Sequence, residues 1–144
     1  MKTITRVTMI VLAATLFFSC ADRVTGYLDV ANAEYIPDSL VIPRYADLDP
    51  IADATRIENN SPWVSLRIQG VLGTPPVYYS VASAREVNGG DTGKFLAGVS
   101  MIGGGIFYFP LQHETPPGRY IVSVRVHNEG HDMVIPDAFT FIVK

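Results

Sequence analysis

The chain has 144 residues, 48% of them hydrophobic, with 11 basic against 14 acidic side chains and a formal charge of −3; that suffices for one domain with its own core and excludes a second of ordinary size. The acidic balance and the lack of any basic run argue against nucleic acid and against electrostatic attraction to anionic lipid headgroups. A single cysteine, Cys20, excludes an internal disulfide.

In chain order, Lys2 and Arg6 come first, followed by an apolar run from Val7 to Phe18 interrupted only by Thr8 and Thr15, and then by the small Ser19. This is the layout of a secretory signal peptide. The run is shorter than the roughly 18 to 20 apolar residues a membrane-spanning helix needs, so residues 1–19 are expected to be removed. Loss of Lys2 and Arg6 takes the formal charge from −3 to −5. The stretch Leu16-Phe17-Phe18-Ser19-Cys20 resembles a bacterial lipobox, which implies that the Cys20 thiol carries a diacylglycerol and becomes the mature N-terminus. Ala21 stands where Asp would signal inner-membrane retention, and Asp22 follows. The aromatic end of the leader and its short acidic sequel are similar to Bacteroidetes cell-envelope lipoproteins, a resemblance that implies a lipid anchor in the outer membrane and display on the cell surface.

Residues 20–34 then read as a lipidated tether or a partly ordered edge, and residues 35–144 as the domain. Ten prolines between Pro37 and Pro136 forbid helix interiors nearly everywhere. "DSLVIPR" reads as a short strand, and residues 51–59, "IADATRIEN", as the one place for a turn or two of helix. In "WVSLRIQG" the alternation puts Val64, Leu66 and Ile68 on an apolar face and Trp63, Ser65, Arg67 and Gln69 on the other. "PVYYSVAS" sets Val77, Tyr79 and Val81 together, and "GIFYFPLQ" opposes Ile106 and Tyr108 to Phe107, Phe109 and Leu111. "RYIVSVRVHN" alternates most cleanly, with Tyr120, Val122, Val124 and Val126 on one face. After the turn "NEGHD", Phe139, Phe141 and Val143 share a face of the last strand, which predicts an antiparallel pair closing the chain. Six or seven short strands divided by Gly, Pro and Asn predict an all-β sandwich. "TPPGRYIVSVRV" further resembles the strand entry of immunoglobulin-like domains, with Gly118 and Tyr120 in place and Val122 where antibody domains have cysteine. That resemblance implies a disulfide-free, single immunoglobulin-like Greek-key sandwich of about seven strands, and nothing about function.

No set of residues suggests a catalytic mechanism. Ser100 in "GVSMIG" imitates a nucleophile elbow but has one residue too many and no helix after it. Gly98 and Gly103 have the separation of a phosphate loop, yet Gly104 replaces its lysine, so Gly103 to Gly105 are expected to form a bend. Asp47, Asp49, Asp53 and Glu58 imitate calcium-loop spacing, but Ile51 and Ala52 fall where a ligand and a glycine belong. His127 and His131 flank a turn beside Glu129 and Asp132, with His113 the only other histidine; these are expected as polar turn residues and not as a metal site. No cofactor is expected.

Sugar recognition needs exposed aromatic rings with polar groups beside them. Trp63, Arg67, Gln69 and Tyr78 would form such a platform if Trp63 is exposed; otherwise Trp63 packs between the sheets. "DSL" also fits a three-residue O-glycosylation pattern at Ser39. The resulting expectation is a non-enzymatic surface lipoprotein acting as a binding module for glycans, or alternatively a structural module docking onto an envelope protein without sugar.

Overall fold

The computed structural model describes residues 26–144. The leader and Cys20 lie outside the described residues. The fold is predominantly β. Among the described residues nine strands run β1 (Leu28–Asp29), β2 (Ser39–Ile42), β3 (Trp63–Val64), β4 (Leu72–Gly73), β5 (Tyr78–Glu86), β6 (Ser100–Ile102), β7 (Ile106–Phe109), β8 (Gly118–His127) and β9 (Asp132–Val143). Two short α-helices among the described residues, α1 (Ala54–Glu58) and α2 (Gly93–Gly98), and a 3-10 turn at Tyr45–Asp47 lie in connections.

β8 and β9 form the expected antiparallel hairpin, and β2 and β5 extend it to a four-stranded sheet in the order β2-β9-β8-β5. β2 joins β9 in parallel. A second sheet has the order β3-β7-β6, and β1 pairs with β4 at one margin. The two larger sheets face each other across an aromatic core, an arrangement compatible with a β-sandwich. Phe139 and Phe141 of the first sheet meet Phe107 of the second at 5.1 and 5.3 Å between ring centres, and Phe109 meets Phe141 at 5.7 Å. The alternating residues Tyr120, Val122, Val124 and Val126 are all buried beside them, as the period of two requires.

Tyr120 fixes the entry to β8. Its ring stacks on Phe95 at 4.5 Å, and its hydroxyl donates to the Pro116 carbonyl at 2.9 Å, so the one polar atom of a buried ring is satisfied locally. Tyr35 does the same at the other margin, its hydroxyl donating to the Gly105 carbonyl at 2.6 Å. Gly105 is held at φ +69°, and a Cβ there would stand 2.5 Å from the Ile68 side chain, so the β6–β7 turn admits no larger residue.

Two expectations are corrected. The strand expected at 63–70 ends at Val64, and its faces are reversed from Trp63 to Leu66: Val64 and Leu66 are exposed, while Trp63 and Ser65 point inward; Ile68 is buried and Arg67 and Gln69 are exposed as the alternation had them. The cause is the partner strand. Trp63 pairs with Phe109 and Val64 with Tyr108, so Trp63 shares the inward side of Phe109, and the Ser65 Oγ accepts from the Phe107 amide at 2.9 Å. α2 was not expected in a glycine-rich segment; it forms because Phe95, wholly buried against Tyr120, Phe109 and Phe141, draws that turn onto the core. Of the two alternatives for the stretch before the domain, tether or edge, residues 28–34 take the second: β1 pairs with β4, and Glu34 exchanges both backbone hydrogen bonds with Gln69 at 3.0 and 2.8 Å.

Phe107→Ala should cost about 3–5 kcal/mol as a buried aromatic lost from a packed core. Tyr120→Phe should cost about 1 kcal/mol, one hydrogen bond at constant ring packing. Urea titrations followed by Trp63 fluorescence and circular dichroism test the order; equal losses would show that the Tyr120 hydroxyl, and not its ring packing, sets the corner.

Candidate functional site

The four residues of the expected platform do not share one face. Trp63 is half-buried and packs against the core, with the Arg56 guanidinium 4.0 Å from its ring centre. Arg56 is held there by donating to the Pro62 carbonyl at 2.9 Å, and the indole nitrogen is buried without a hydrogen-bond partner. Arg67 is exposed and lies along Gly104 in the β6–β7 turn, while Gln69 is exposed beside the edge residue Glu34. Tyr78 is on the other sheet, at the start of β5, with its ring stacked on His127 at 5.2 Å.

The acidic and histidine clusters are likewise spent on local structure. Asp49 accepts from the Ile51 and Ala52 amides at 2.7 and 3.0 Å, bonds that hold its carboxyl below the usual range, and Asp53 accepts from the Asp49 amide at 3.1 Å. Asp47 pairs with Arg44. In the β8–β9 turn, Asp132 is ion-paired with Arg125, which keeps that carboxyl acidic, and the His131 ring nitrogen meets the Gly26 carbonyl at 3.0 Å. Among the described residues no three His, Cys, Asp or Glu side chains converge as a metal site. Ser100 opens β6 directly after α2, the reverse of the strand-to-helix order an elbow needs. Ser39 is half-buried at the start of β2.

Two other surfaces stand out. The first is the outer face of β3-β7-β6. Because Phe107 and Phe109 point inward, the register places Val64 beside Tyr108, and Ile102 beside Ile106, on the opposite side. Val64, Ile102 and Tyr108 on these strands, and Leu66 just past the end of β3, are 37–60% exposed where an ordinary sheet presents polar groups. The sequence signal for it was the parity of Phe107 and Phe109, which fixes that of Tyr108 and, through pairing, of Val64.

The second is a shallow groove of about 350 Å³ at the end of the body where β8 begins, lined by Arg44, Tyr45, His113, Glu114 and Lys144 among others. A neighbouring depression of about 300 Å³ shares His113 and Glu114 and adds Lys94 and Gln112. Lys94 and Glu114 are ion-paired across it at 3.3 Å. His113 lies edge-on to Phe109 at 5.0 Å with its Nδ1 buried and unpartnered. Burial holds the His113 pKa below its ordinary value, and a backbone hydrogen bond at Thr115 offsets part of that.

A histidine whose folded pKa is depressed adds stability above the unfolded pKa and loses it as pH falls, because the unfolded chain takes up the proton first. Stability should therefore decline from pH 7 toward pH 5.5, before the carboxylates titrate, and His113→Gln should flatten that decline in chemical denaturation; an unchanged slope would contradict the assignment. No family model matches this chain, and neither does any curated protein or any solved structure; the surfaces described above are what bears on its function.

Proposed function

We propose that this chain is a non-enzymatic binding module, held at the outer membrane by a lipid on Cys20, which docks onto a neighbouring envelope protein through the outer face of β3-β7-β6. The observation that carries the docking reading is that face: the large apolar side chains Val64, Ile102 and Tyr108 on its strands, with Leu66 just past the end of β3, all open to solvent. Water contact with such a patch is costly, and covering it by a complementary apolar surface removes that cost. The anchor and envelope location are supported by the lipobox-like Leu16–Cys20 stretch and its resemblance to Bacteroidetes lipoproteins.

The finer fold belongs to the same proposal. An immunoglobulin-like Greek key is supported by strand order: β5, β8 and β9 would be its strands C, F and G, and β3, β6 and β7 its strands B, D and E, neighbours in the sheets as that topology requires. The Tyr120 hydroxyl on the Pro116 carbonyl supports it as a tyrosine corner.

A glycan reading keeps one specific observation in its favour, the end groove, where Tyr45 is 44% exposed beside Arg44, His113 and Glu114. An aromatic ring among polar groups is what a single sugar unit stacks on.

One experiment separates the two. Crosslinking on intact cells should give a discrete heteromeric species with the wild-type chain, and Val64→Lys combined with Tyr108→Lys should reduce it at least tenfold while leaving the circular dichroism unchanged. Tyr45→Ala should leave that species intact. If the double variant crosslinks normally and Tyr45→Ala abolishes retardation in polysaccharide gels, the docking reading fails and the glycan reading replaces it.

A further inference from the structure

The described chain enters the body at Gly26 and Tyr27, and that entry is fixed to the tip of the β8–β9 hairpin. The Tyr27 carbonyl accepts from the Thr74 amide and from the Asn128 side chain, both at 2.9 Å, and the His131 ring nitrogen lies 3.0 Å from the Gly26 carbonyl. β8 has 10 residues, so this tip is about 30 Å along the strand from the groove end at Pro116–Gly118. The β1–β4 register pairs Leu28 with Gly73 and Asp29 with Leu72. Alternation then turns Leu28 onto the core and sends Tyr27, Asp29, Leu72 and Thr74 outward together. Tyr27 and Leu72 are each 57% exposed, and Tyr78, stacked on His127 at the end of β8, is 53% exposed at the same end.

We infer that this end of the body is a membrane-contact surface, on which Tyr27, Leu72 and Tyr78 enter the interfacial layer of the bilayer that holds Cys20. The inference rests on the lipid-anchor reading of Cys20. Six residue steps separate Cys20 from Gly26, and a fully extended chain covers no more than about 20 Å over that length. The hairpin tip is therefore held within reach of the headgroups. Tyrosine suits that depth, with an apolar ring and a hydroxyl that stays wet, and an exposed leucine gains by leaving water. Among the described residues the charges at this end are the exposed Asp29 and Glu129, the Arg125–Asp132 pair, and the rings of His127 and His131, and the linking sequence adds one acid and one base, Asp22 and Arg23. With no basic cluster among them, the contact draws on apolar burial and favours a zwitterionic surface. A single acyl chain holds a protein only marginally, and several hold it firmly, so this surface orients the domain more than it anchors it. The groove at Tyr45 and His113 then points away from the membrane.

The test uses the chain beginning at Cys20, coupled through that thiol to a maleimide-headgroup lipid in phosphatidylcholine vesicles made with or without brominated acyl chains. Tyr27→Trp and Gln112→Trp place a reporter at the two ends, with Trp63 as the common background. Quenching by the brominated lipid should be several-fold stronger for Tyr27→Trp, the same at low and high salt, and reduced by adding Leu72→Ser. Equal quenching at the two ends overturns the contact. Mass spectrometry of the natively processed protein tests the anchor separately: an unmodified Cys20 overturns the anchor reading, and with it any membrane contact in the cell, whatever the synthetic tether shows.

Discussion

The fold depends on four phenylalanines meeting across two sheets. Phe107 and Phe109 project from one sheet, Phe139 and Phe141 from the other, and their rings touch in tilted and edge-on pairs between 5.1 and 5.7 Å. Neither sheet can shift its register by one residue without moving its pair into water. That parity sets the outer face of the second sheet. It exposes Tyr108, and by pairing Val64; it turns Trp63 inward under Arg56; and it leaves Phe95 and Tyr120 to close the open end of the core with a stacked pair.

How much of this was legible in the sequence varied with how many partners each segment had. β8 and β9 could be read because each buries one face against the other sheet, so Tyr120 to Val126 and Phe139 to Val143 obey the period of two without exception. The segment at 63–70 could not, since its alternation does not persist: Trp63 competes with Val64 and Leu66 for the inward side, Ile68 is buried although it shares their parity, and only the facing strand decides. α2 was hidden for a different reason. Its two glycines oppose a helix, and what overrides them is the long-range burial of Phe95. The pairing of 28–34 with 69–74 is also non-local, and no periodicity within two-residue strands announces it.

The candidate surfaces were legible to the same degree. The platform of Trp63, Arg67, Gln69 and Tyr78 assumed that Trp63 faced outward and that its strand continued to Gln69; the reversal at Ser65 removes both assumptions. The groove draws on residues 44–45, 111–117 and 144, which are brought together only by the β2–β9 pairing and the turn before β8. Such a site has no sequence signature of its own.

Contact through a sheet face, in preference to strand addition at an edge, is also what the edges favour. β3 has two residues and β6 three, too few to template another strand, and β2 is closed by Pro43 after four. β5 is the one long edge, with nine residues, but it is bulged between Val81 and Ser83 and carries Arg85, which is ion-paired with Asp137. A bulge and a fixed charge are the devices by which edges resist pairing. The outer face of β3-β7-β6 has no such protection. Its single polar interruption is Ser100, set opposite Tyr108. A partner that buries Val64, Leu66, Ile102 and Tyr108 needs a flat apolar surface and no free strand, and it meets the domain from the side, leaving the hairpin tip and the groove end unobstructed.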